Sequence, residues 1–102
     1  MKTLTKFIAV SAILIMPNMT FAEGDALAGK SKAAVCAACH GTNGIGNYEL
    51  WPNLAGQKLG YLIKSMKEFR DGKRSDPSMA PIIKTLSNQD IEDIAAYYNS
   101  ME

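Results

Sequence analysis

The stretch Cys36-Ala37-Ala38-Cys39-His40 contains both cysteines and the only histidine of a chain of 102 residues. The two thiols are three positions apart, about one helical turn, and the imidazole follows directly. This C-x-x-C-H spacing is the haem c attachment signature: each thiol adds to one vinyl group of a porphyrin, and the histidine reaches the iron from the same face. The pentad therefore predicts one covalent haem c, held by Cys36 and Cys39, with His40 as an iron ligand.

Three other kinds of site use cysteines at this spacing. A thioredoxin-like dithiol requires a preceding strand and a βαβ setting, and the sequence shows no strand pattern. A zinc site requires a fourth ligand of the Cys or His type, and none remains in the chain. A structural disulfide is favoured by an oxidising compartment, but it would leave His40 without a role. The haem site accounts for all three side chains.

The first 22 residues predict an export signal. Lys2 and Lys6 precede an apolar run over 7–16, and residues 20–22 offer small side chains to a signal peptidase. The apolar run is well short of the ~20 residues that a membrane-spanning helix requires. We therefore expect cleavage after Ala22, a periplasmic product and no stable membrane insertion.

The expected product, residues 23–102, forms one domain. Loss of Lys2 and Lys6 changes the formal net charge of +1 to −1, and nucleic-acid binding requires a clear basic excess, which this product lacks. A domain of about 80 residues has only a marginally stable hydrophobic core. A bound cofactor would therefore complete its interior.

The product has helical patterns only. Apolar and small residues recur at helical spacing over 25–39, and a glycine- and asparagine-rich loop is predicted over 41–47. An amphipathic helix is predicted over 57–71 and ends at Gly72. The segment 71–84 contains two prolines and is predicted to be a loop.

The last helix has the clearest start signal. Ser87 and Asp90 fit an [ST]-x-x-[DE] capping box. The predicted buried stripe consists of Ile91, Ile94, Ala95, Tyr98 and Met101. We expect an all-α fold with three main helices and two shorter ones around one haem.

The sixth iron ligand is expected well after the pentad, where Met66, Met79, Met101 and the lysines are candidates. Met66 lies on the apolar stripe of a helix, where methionine usually fills the core. Met101 lies next to the end of the chain, where fraying is expected. Met79 lies in a loop between two prolines that restrict the backbone, so we select Met79.

The chain resembles a class I cytochrome c, and within that class the small monohaem c-553 and c-554 types that are related to one domain of cytochrome c4. The resemblance is carried by Gly29, the pentad, and the segments 52–57 (PNLAGQ), 76–81 (DPSMAP) and 94–98 (IAAYY). It covers essentially all of residues 23–102. A single C-x-x-C-H implies one haem rather than two, and the resemblance points to Met79 as the second axial ligand.

The resemblance also implies roles around the cofactor. The carbonyl of Pro52 is expected to accept a hydrogen bond from Nδ1 of His40. Gly29 is expected where the first helix crosses the last one, against Tyr97 or its neighbours, because only a missing side chain permits that approach. Trp51 either donates a hydrogen bond to a haem propionate or packs on the porphyrin, and the sequence leaves both readings open.

Histidine and methionine together fill both axial positions, which suits electron transfer and leaves no site for a substrate. We therefore expect a one-electron carrier with no catalytic residues, not an enzyme, that docks transiently with redox proteins or associates weakly with itself. Four lysines form either a docking surface or a solvated helix face: Lys58, Lys64, Lys67 and Lys84. Two alternatives are the electron-entry haem subunit of an oxidoreductase complex, such as a sulfur-compound dehydrogenase or a nitrite reductase, and a ligand-binding haem sensor.

Overall fold

The computed structural model describes residues 2–13 and 23–102. These residues contain five helices and no strand, which confirms the all-α fold: α1 (Ala26–Lys32), α2 (Ala34–His40), α3 (Leu59–Arg70), α4 (Ala80–Ile83) and α5 (Asn88–Asn99).

The predicted export signal lies only partly within the described residues. Residues 2–13 are exposed and adopt no regular secondary structure. The expected cleavage after Ala22 lies outside the described ranges. Within those ranges, no helix is long and apolar enough to cross a membrane.

The first predicted helix is in fact two helices, which meet at Ala33. The amide of Ala33 closes α1 on the carbonyl of Gly29 at 2.8 Å, and its own carbonyl accepts from Cys36 at 2.9 Å. Ala33 is 2% exposed, so the break lies inside the core. Gly29 and Ala33 are buried, whereas Leu27 is 78% exposed, because close packing on α5 selects the smallest side chains.

The segment 71–84 also differs from its prediction as a loop, because it ends in the single turn α4. Pro81 lies in the first turn of this helix, where the missing amide hydrogen has no intrahelical partner to lose. Ile83 is buried on this turn, and α4 packs against α3. The predicted stop at Gly72 is confirmed by its positive φ of 78°.

The start of α5 matches its prediction. The Ser87 hydroxyl accepts from the amide of Asp90 at 3.0 Å, and the Asp90 carboxylate accepts from the amide of Ser87 at 3.0 Å. The core cluster consists of Ala33, Leu62, Ile94, Ala95 and Tyr98. Met101 lies beyond the end of α5 but still packs against this cluster.

The helices α1 and α5 cross in close contact. A Cβ placed on Gly29 would overlap the backbone carbonyl of Asp93 and lie 2.9 Å from Cβ of Tyr97. A Cβ on Gly24 would overlap the carbonyl of Glu92. Backbone therefore packs on backbone at this crossing, as the resemblance implied for Gly29.

A charged cluster links the same two helices. Nζ of Lys32 lies 2.6 Å from Oδ2 of Asp93 and 2.9 Å from Oδ1 of Asp90. Asp93 is 3% exposed, and its Oδ1 also accepts from the amide of Asp25 at 2.8 Å and from Gln89 at 2.8 Å. The bond from the Asp25 amide, followed by that from Lys32, lowers the pKa of Asp93. Hydrogen bonding to Lys32 lowers the pKa of Asp90 to about 2.

Replacing Gly29 by Ala tests the crossing. The added methyl group has to push α5 away, so we expect a loss of roughly 1–3 kcal/mol in the free energy of unfolding, the usual cost of overpacking. The control is Gly60→Ala on α3, where an added Cβ meets no atom within 4 Å and the helical propensity improves. Guanidinium unfolding of the holoprotein measures both, and equal stability of the two variants would contradict the crossing.

Replacing Asp93 by Asn tests the charged cluster. At pH 7 the variant leaves Lys32 without its buried partner, and we expect a loss of roughly 1–3 kcal/mol in the free energy of unfolding. Folding lowers the pKa of Asp90 and Asp93 below their ordinary 3.8, so their contribution is complete above about pH 4 and fades as the pH falls towards 2. The difference between wild type and variant should therefore shrink over that range.

Glu92→Gln is the matched control for Asp93→Asn, because it removes the same charge one residue away on α5, from a side chain that forms no ion pair within the described residues. An effect of the same size in both variants would show that the net charge matters rather than the cluster.

Candidate functional site

The helix α2 carries the three side chains of the pentad. Cys36 and Cys39 are half-buried, and neither forms a disulfide. His40 is the last residue of α2 and is 6% exposed. Because residues three apart on a helix share a face, the two thiols lie on one side of α2 and are free to react.

The environment of the first thiol argues against a dithiol redox site. Burial raises the pKa of the Cys36 thiol, whereas a reactive C-x-x-C motif has a lowered pKa on an exposed cysteine. Cys36 instead packs against the core cluster that includes Tyr98. No strand precedes α2 within the described ranges.

The zinc alternative requires several ligand side chains to converge on one point. Within 2–13 and 23–102, no three side chains of the His, Cys, Asp or Glu type are placed to hold a metal ion. The pentad is therefore arranged along a helix rather than around a common centre.

The imidazole of His40 has one defined tautomer. Its Nδ1 atom lies 2.8 Å from the carbonyl oxygen of Pro52, and a carbonyl only accepts, so Nδ1 carries the hydrogen and donates. This is the bond that the resemblance implied. No other hydrogen bond to the ring occurs within the described residues, which leaves the lone pair of Nε2 available to a metal. A partner of this kind orients a histidine ligand and makes it a better donor.

The loop before Pro52 is fixed by its own backbone. The carbonyl of Gly44 accepts from the amides of Leu54 at 2.8 Å and Ala55 at 3.0 Å. Gly44 has a positive φ of 74°, a conformation that favours glycine. The amide of Gly46 donates to Oδ1 of Asn53 at 2.9 Å. These bonds hold the segment around Pro52 against the end of α2.

The same loop is anchored on α5. The amide of Gly56 donates to the carbonyl of Tyr98 at 2.9 Å, and the side chain of Asn99 donates to the carbonyl of Gln57 at 2.9 Å. The position of the Pro52 carbonyl, and with it the orientation of His40, therefore depends on the C-terminal end of α5.

Trp51 lies directly before Pro52 and is 38% exposed. Its ring is edge-on to that of Tyr48, with 5.0 Å between the ring centroids, and its amide donates to the carbonyl of Tyr48 at 2.9 Å. The indole N–H has no partner among the described residues. Both readings of Trp51 therefore remain compatible with its position.

Met79 is half-buried at the start of α4. The carboxylate of Asp76 accepts from the amides of Ser78 at 2.8 Å and of Met79 at 3.1 Å, an Asx turn that fixes the backbone of this methionine. Met66 and Met101 instead pack against the core cluster. Of the three methionines in the second half of the domain, Met79 is therefore the one that does not pack against the core cluster.

The haem group that the pentad predicts fits these residues. Two free thiols share one face of α2, and the neighbouring imidazole is held with Nε2 available. The buried hydrophobic side chains within the described ranges are few: Ala33, Leu62, Ile83, Ile91, Ile94, Ala95 and Tyr98. So small a core is completed by a large apolar cofactor. The fold and the site define an all-α protein with covalently attached haem.

Comparison with known proteins agrees with this class. The family described as "Cytochrome c" matches residues 21–102. Cytochrome c-554(548) of Halomonas halodenitrificans is 50% identical over 82 residues, which cover 78% of this chain and 99% of that protein. The crystal structure of reduced recombinant cytochrome c4 from Pseudomonas stutzeri matches with a TM-score of 0.74 and 41% identity, over 78% of this chain and 46% of that chain.

A further relative has a name that specifies its role. The thiosulfate dehydrogenase electron acceptor of Stutzerimonas stutzeri is 36% identical over 97 residues, which cover 90% of this chain and 45% of that protein. This chain thus spans nearly all of cytochrome c-554(548) but less than half of the other two relatives.

This chain belongs to the cytochrome c family. Its cofactor is one covalent haem c, and its function is electron transport. The resemblance stated from the sequence motifs is confirmed.

Sequence reasoning did not identify how the loop around Pro52 is held. The supporting residues are Gly44, Gly46 and Asn53, whose backbone and side-chain bonds close the loop. The spacing of the glycines was the only available signal. It predicted an irregular loop but not the hydrogen-bond partners that hold the loop in place.

Proposed function

We propose that this chain is a periplasmic carrier of single electrons, in which Cys36 and Cys39 hold the haem through thioether bonds and His40 and Met79 are the axial iron ligands. The observation that carries the proposal is the hydrogen bond from Nδ1 of His40 to Pro52, which leaves Nε2 free beside two unpaired thiols.

Attachment of the haem is an addition reaction. The sulfur of each cysteine would bond to one carbon of a vinyl group and the thiol hydrogen would go to the other carbon, so no oxidant would be consumed. Two free cysteines one helical turn apart are suited to two vinyl groups of one porphyrin. A disulfide between them would have to be reduced first, and the structure has none.

The haem supplies reversible Fe(II)/Fe(III) chemistry, and the side chains of this protein set its environment. His40 binds in the tautomer that Pro52 selects. Met79 contributes a thioether, which together with histidine raises the reduction potential. With both axial positions filled, no iron site remains for a substrate, so we propose a carrier rather than an enzyme.

The choice of Met79 is supported by the positions of the other methionines. Met66 and Met101 already fill the core between the helices, and withdrawing either one would open a cavity. Met79 is presented by the Asx turn at Asp76 and by the first turn of α4, which contains Pro81.

Two neighbours of the cofactor are proposed with it. The Pro52 carbonyl acts through His40. Trp51, the adjacent residue, either covers the porphyrin or donates its indole hydrogen to a propionate.

Export is proposed on sequence grounds. The cytochrome c match begins at residue 21, and cytochrome c-554(548) is matched over 99% of its length by 78% of this chain. The residues before this region have the lysines and the apolar run of a signal peptide. We propose that residues 1–22 are removed and that residues 23–102 act in the periplasm.

A second candidate function is electron entry into an oxidoreductase complex. It is favoured by the likeness to the thiosulfate dehydrogenase electron acceptor. The free carrier remains our main proposal because the match to cytochrome c-554(548) extends over nearly all of that relative. The size of the native particle distinguishes the two: a free carrier elutes as a small protein, and a subunit elutes with its complex.

The intact mass of the exported, unfolded protein tests covalent attachment and leader removal together. We expect residues 23–102 plus one haem, because thioether bonds survive unfolding. In the Cys36→Ala, Cys39→Ala double variant the haem should leave in acidified acetone, because only the iron ligands then retain it. Haem that can already be extracted from the wild type would contradict the thioether assignment.

Replacing Met79 by Leu tests the second axial ligand. The change conserves volume, so we expect a folded protein that loses the weak sulfur-to-iron band near the red end of the oxidised spectrum and has a lower reduction potential. Met66→Leu is the matched control, a substitution of the same kind at a core methionine. If the band persists in the Met79 variant and disappears in the control, the ligand is Met66.

A further inference from the structure

The charges of this protein are separated along the chain and between its helices. Residues 58–84 contain seven basic and three acidic residues, whereas the rest of 23–102 contains two basic and seven acidic ones. The basic segment contains α3 and α4, which pack together, and both α3 and α1 pack on α5. Residues 58–84, here called the basic side, thus have a net charge of +4, and the rest of 23–102, here called the acidic side, has −5.

An open groove of about 500 Å³ lies on the basic side, along α3 and the turn that follows it. Lys64, Lys67 and Lys73 line this groove together with Ile63 and Gly60. The backbone turns back after α3, where the amide of Lys73 donates to a helix carbonyl at 2.9 Å. Ile63 gives the groove an apolar wall, and a Cβ on Gly60 would meet no atom within 4 Å, so the backbone is open to an incoming chain.

The two acidic residues of the groove already have cationic partners. Glu68 lies 3.2 Å from Lys64, and Asp71 lies 3.0 Å from Arg70. The hydrogen bond from Arg70 lowers the pKa of Asp71, to which the charges of Lys73 and Lys67 also contribute. Within the described residues neither Lys67 nor Lys73 forms an ion pair, so the groove presents two ammonium groups that can pair with an incoming carboxylate.

We propose that this α3 groove docks an acidic segment of a redox protein partner, with carboxylates at Lys67 and Lys73 and an apolar side chain against Ile63. The inference rests on the proposed electron-carrier function. Charge complementarity favours a compact acidic patch on a protein over an extended polyanion. A compact patch contacts only the basic side, and its own negative charge repels the acidic side of this molecule. The occupant is therefore a compact acidic surface of a one-electron donor or acceptor.

Reversal of charge at two matched positions tests the proposal. Lys67→Glu changes the groove, and Lys30→Glu makes the same change on the acidic side. Both lysines lie in the last turn of their helices, so the cost to the helix dipole is similar. Reduced flavodoxin, an acidic flavoprotein, serves as the probe: it passes one electron to the ferric haem, and stopped-flow absorbance follows the reaction.

At low ionic strength we expect Lys67→Glu to lower the second-order rate constant by roughly three- to tenfold, and Lys30→Glu to change it by less than about twofold. The difference should disappear in high salt, because screening removes electrostatic steering. Amide chemical shifts of the wild-type holoprotein titrated with oxidised flavodoxin should move on α3 and not on α1.

Equal slowing by both variants would overturn the proposal in favour of a net-charge effect, and no slowing by either would overturn it outright. Binding of the wild type to vesicles of anionic lipid, with no response to flavodoxin, would assign the groove to a membrane surface instead. Reduction by dithionite is the reference for the proposed function: a protein that dithionite cannot reduce is not an electron carrier, whereas a failure with flavodoxin alone refutes only the docking groove.

Discussion

The backbone contact between α1 and α5 is the constraint on which the rest of the molecule depends. At Gly29 the first helix approaches α5 so closely that a single methyl group has no room, and the buried carboxylate of Asp93 binds the N-terminal end of the same helix through the amide of Asp25. Ala33, where α1 ends and α2 begins, is buried in the core cluster with Ile94 and Ala95 of α5. Because α2 carries the thiols and the imidazole, the position of the haem site follows from a packing contact that contains no haem ligand.

The other end of α5 controls the orientation of the histidine. The carbonyl of Tyr98 accepts a hydrogen bond from the amide of Gly56, and the side chain of Asn99 donates one to the carbonyl of Gln57. The loop that contains Pro52 is therefore held by this helix. One helix thus positions His40 twice, through α2 and through the carbonyl that selects its tautomer. Few side chains are buried in this domain. The same contacts of α5 therefore determine both the stability of the fold and the orientation of His40.

The parts of the fold that the sequence predicted are those with local causes. The amphipathic stripe of α3 and the capping box at Ser87 lie within one helix, and the pentad contains its own chemistry. The break at Ala33 has no local signal, since alanine is the best helix former, and this residue is buried in the core cluster with side chains of α3 and α5. The one-turn helix α4 was missed because Pro81 reads as a breaker, although a proline is compatible with a first turn.

The contact between His40 and Pro52 shows a different limit. Every residue has a carbonyl, so the residue that accepts from the imidazole has no chemical signature of its own, and the family resemblance was needed to indicate it. The positions of Met66 and Met101 in the core could be argued from helical periodicity and from distance to the chain end. The Asx turn that presents Met79 depends on Asp76, a residue whose sequence signal is no stronger than that of any loop aspartate.

The helices that form the haem site differ from the helix that presents the exposed lysines, and this separation affects how partners are recognised. α5 and α2 serve both the core and the cofactor, so substitutions there alter stability and ligand geometry together. The inner side of α3 contributes Leu62 to the core, whereas Lys64 on its outer side is 73% exposed and forms no part of the haem site. Surface charge on this helix can therefore change without disturbing the thiols of the pentad or His40. A fold of this kind can keep one redox centre while its outer helix is adapted to different electron donors and acceptors.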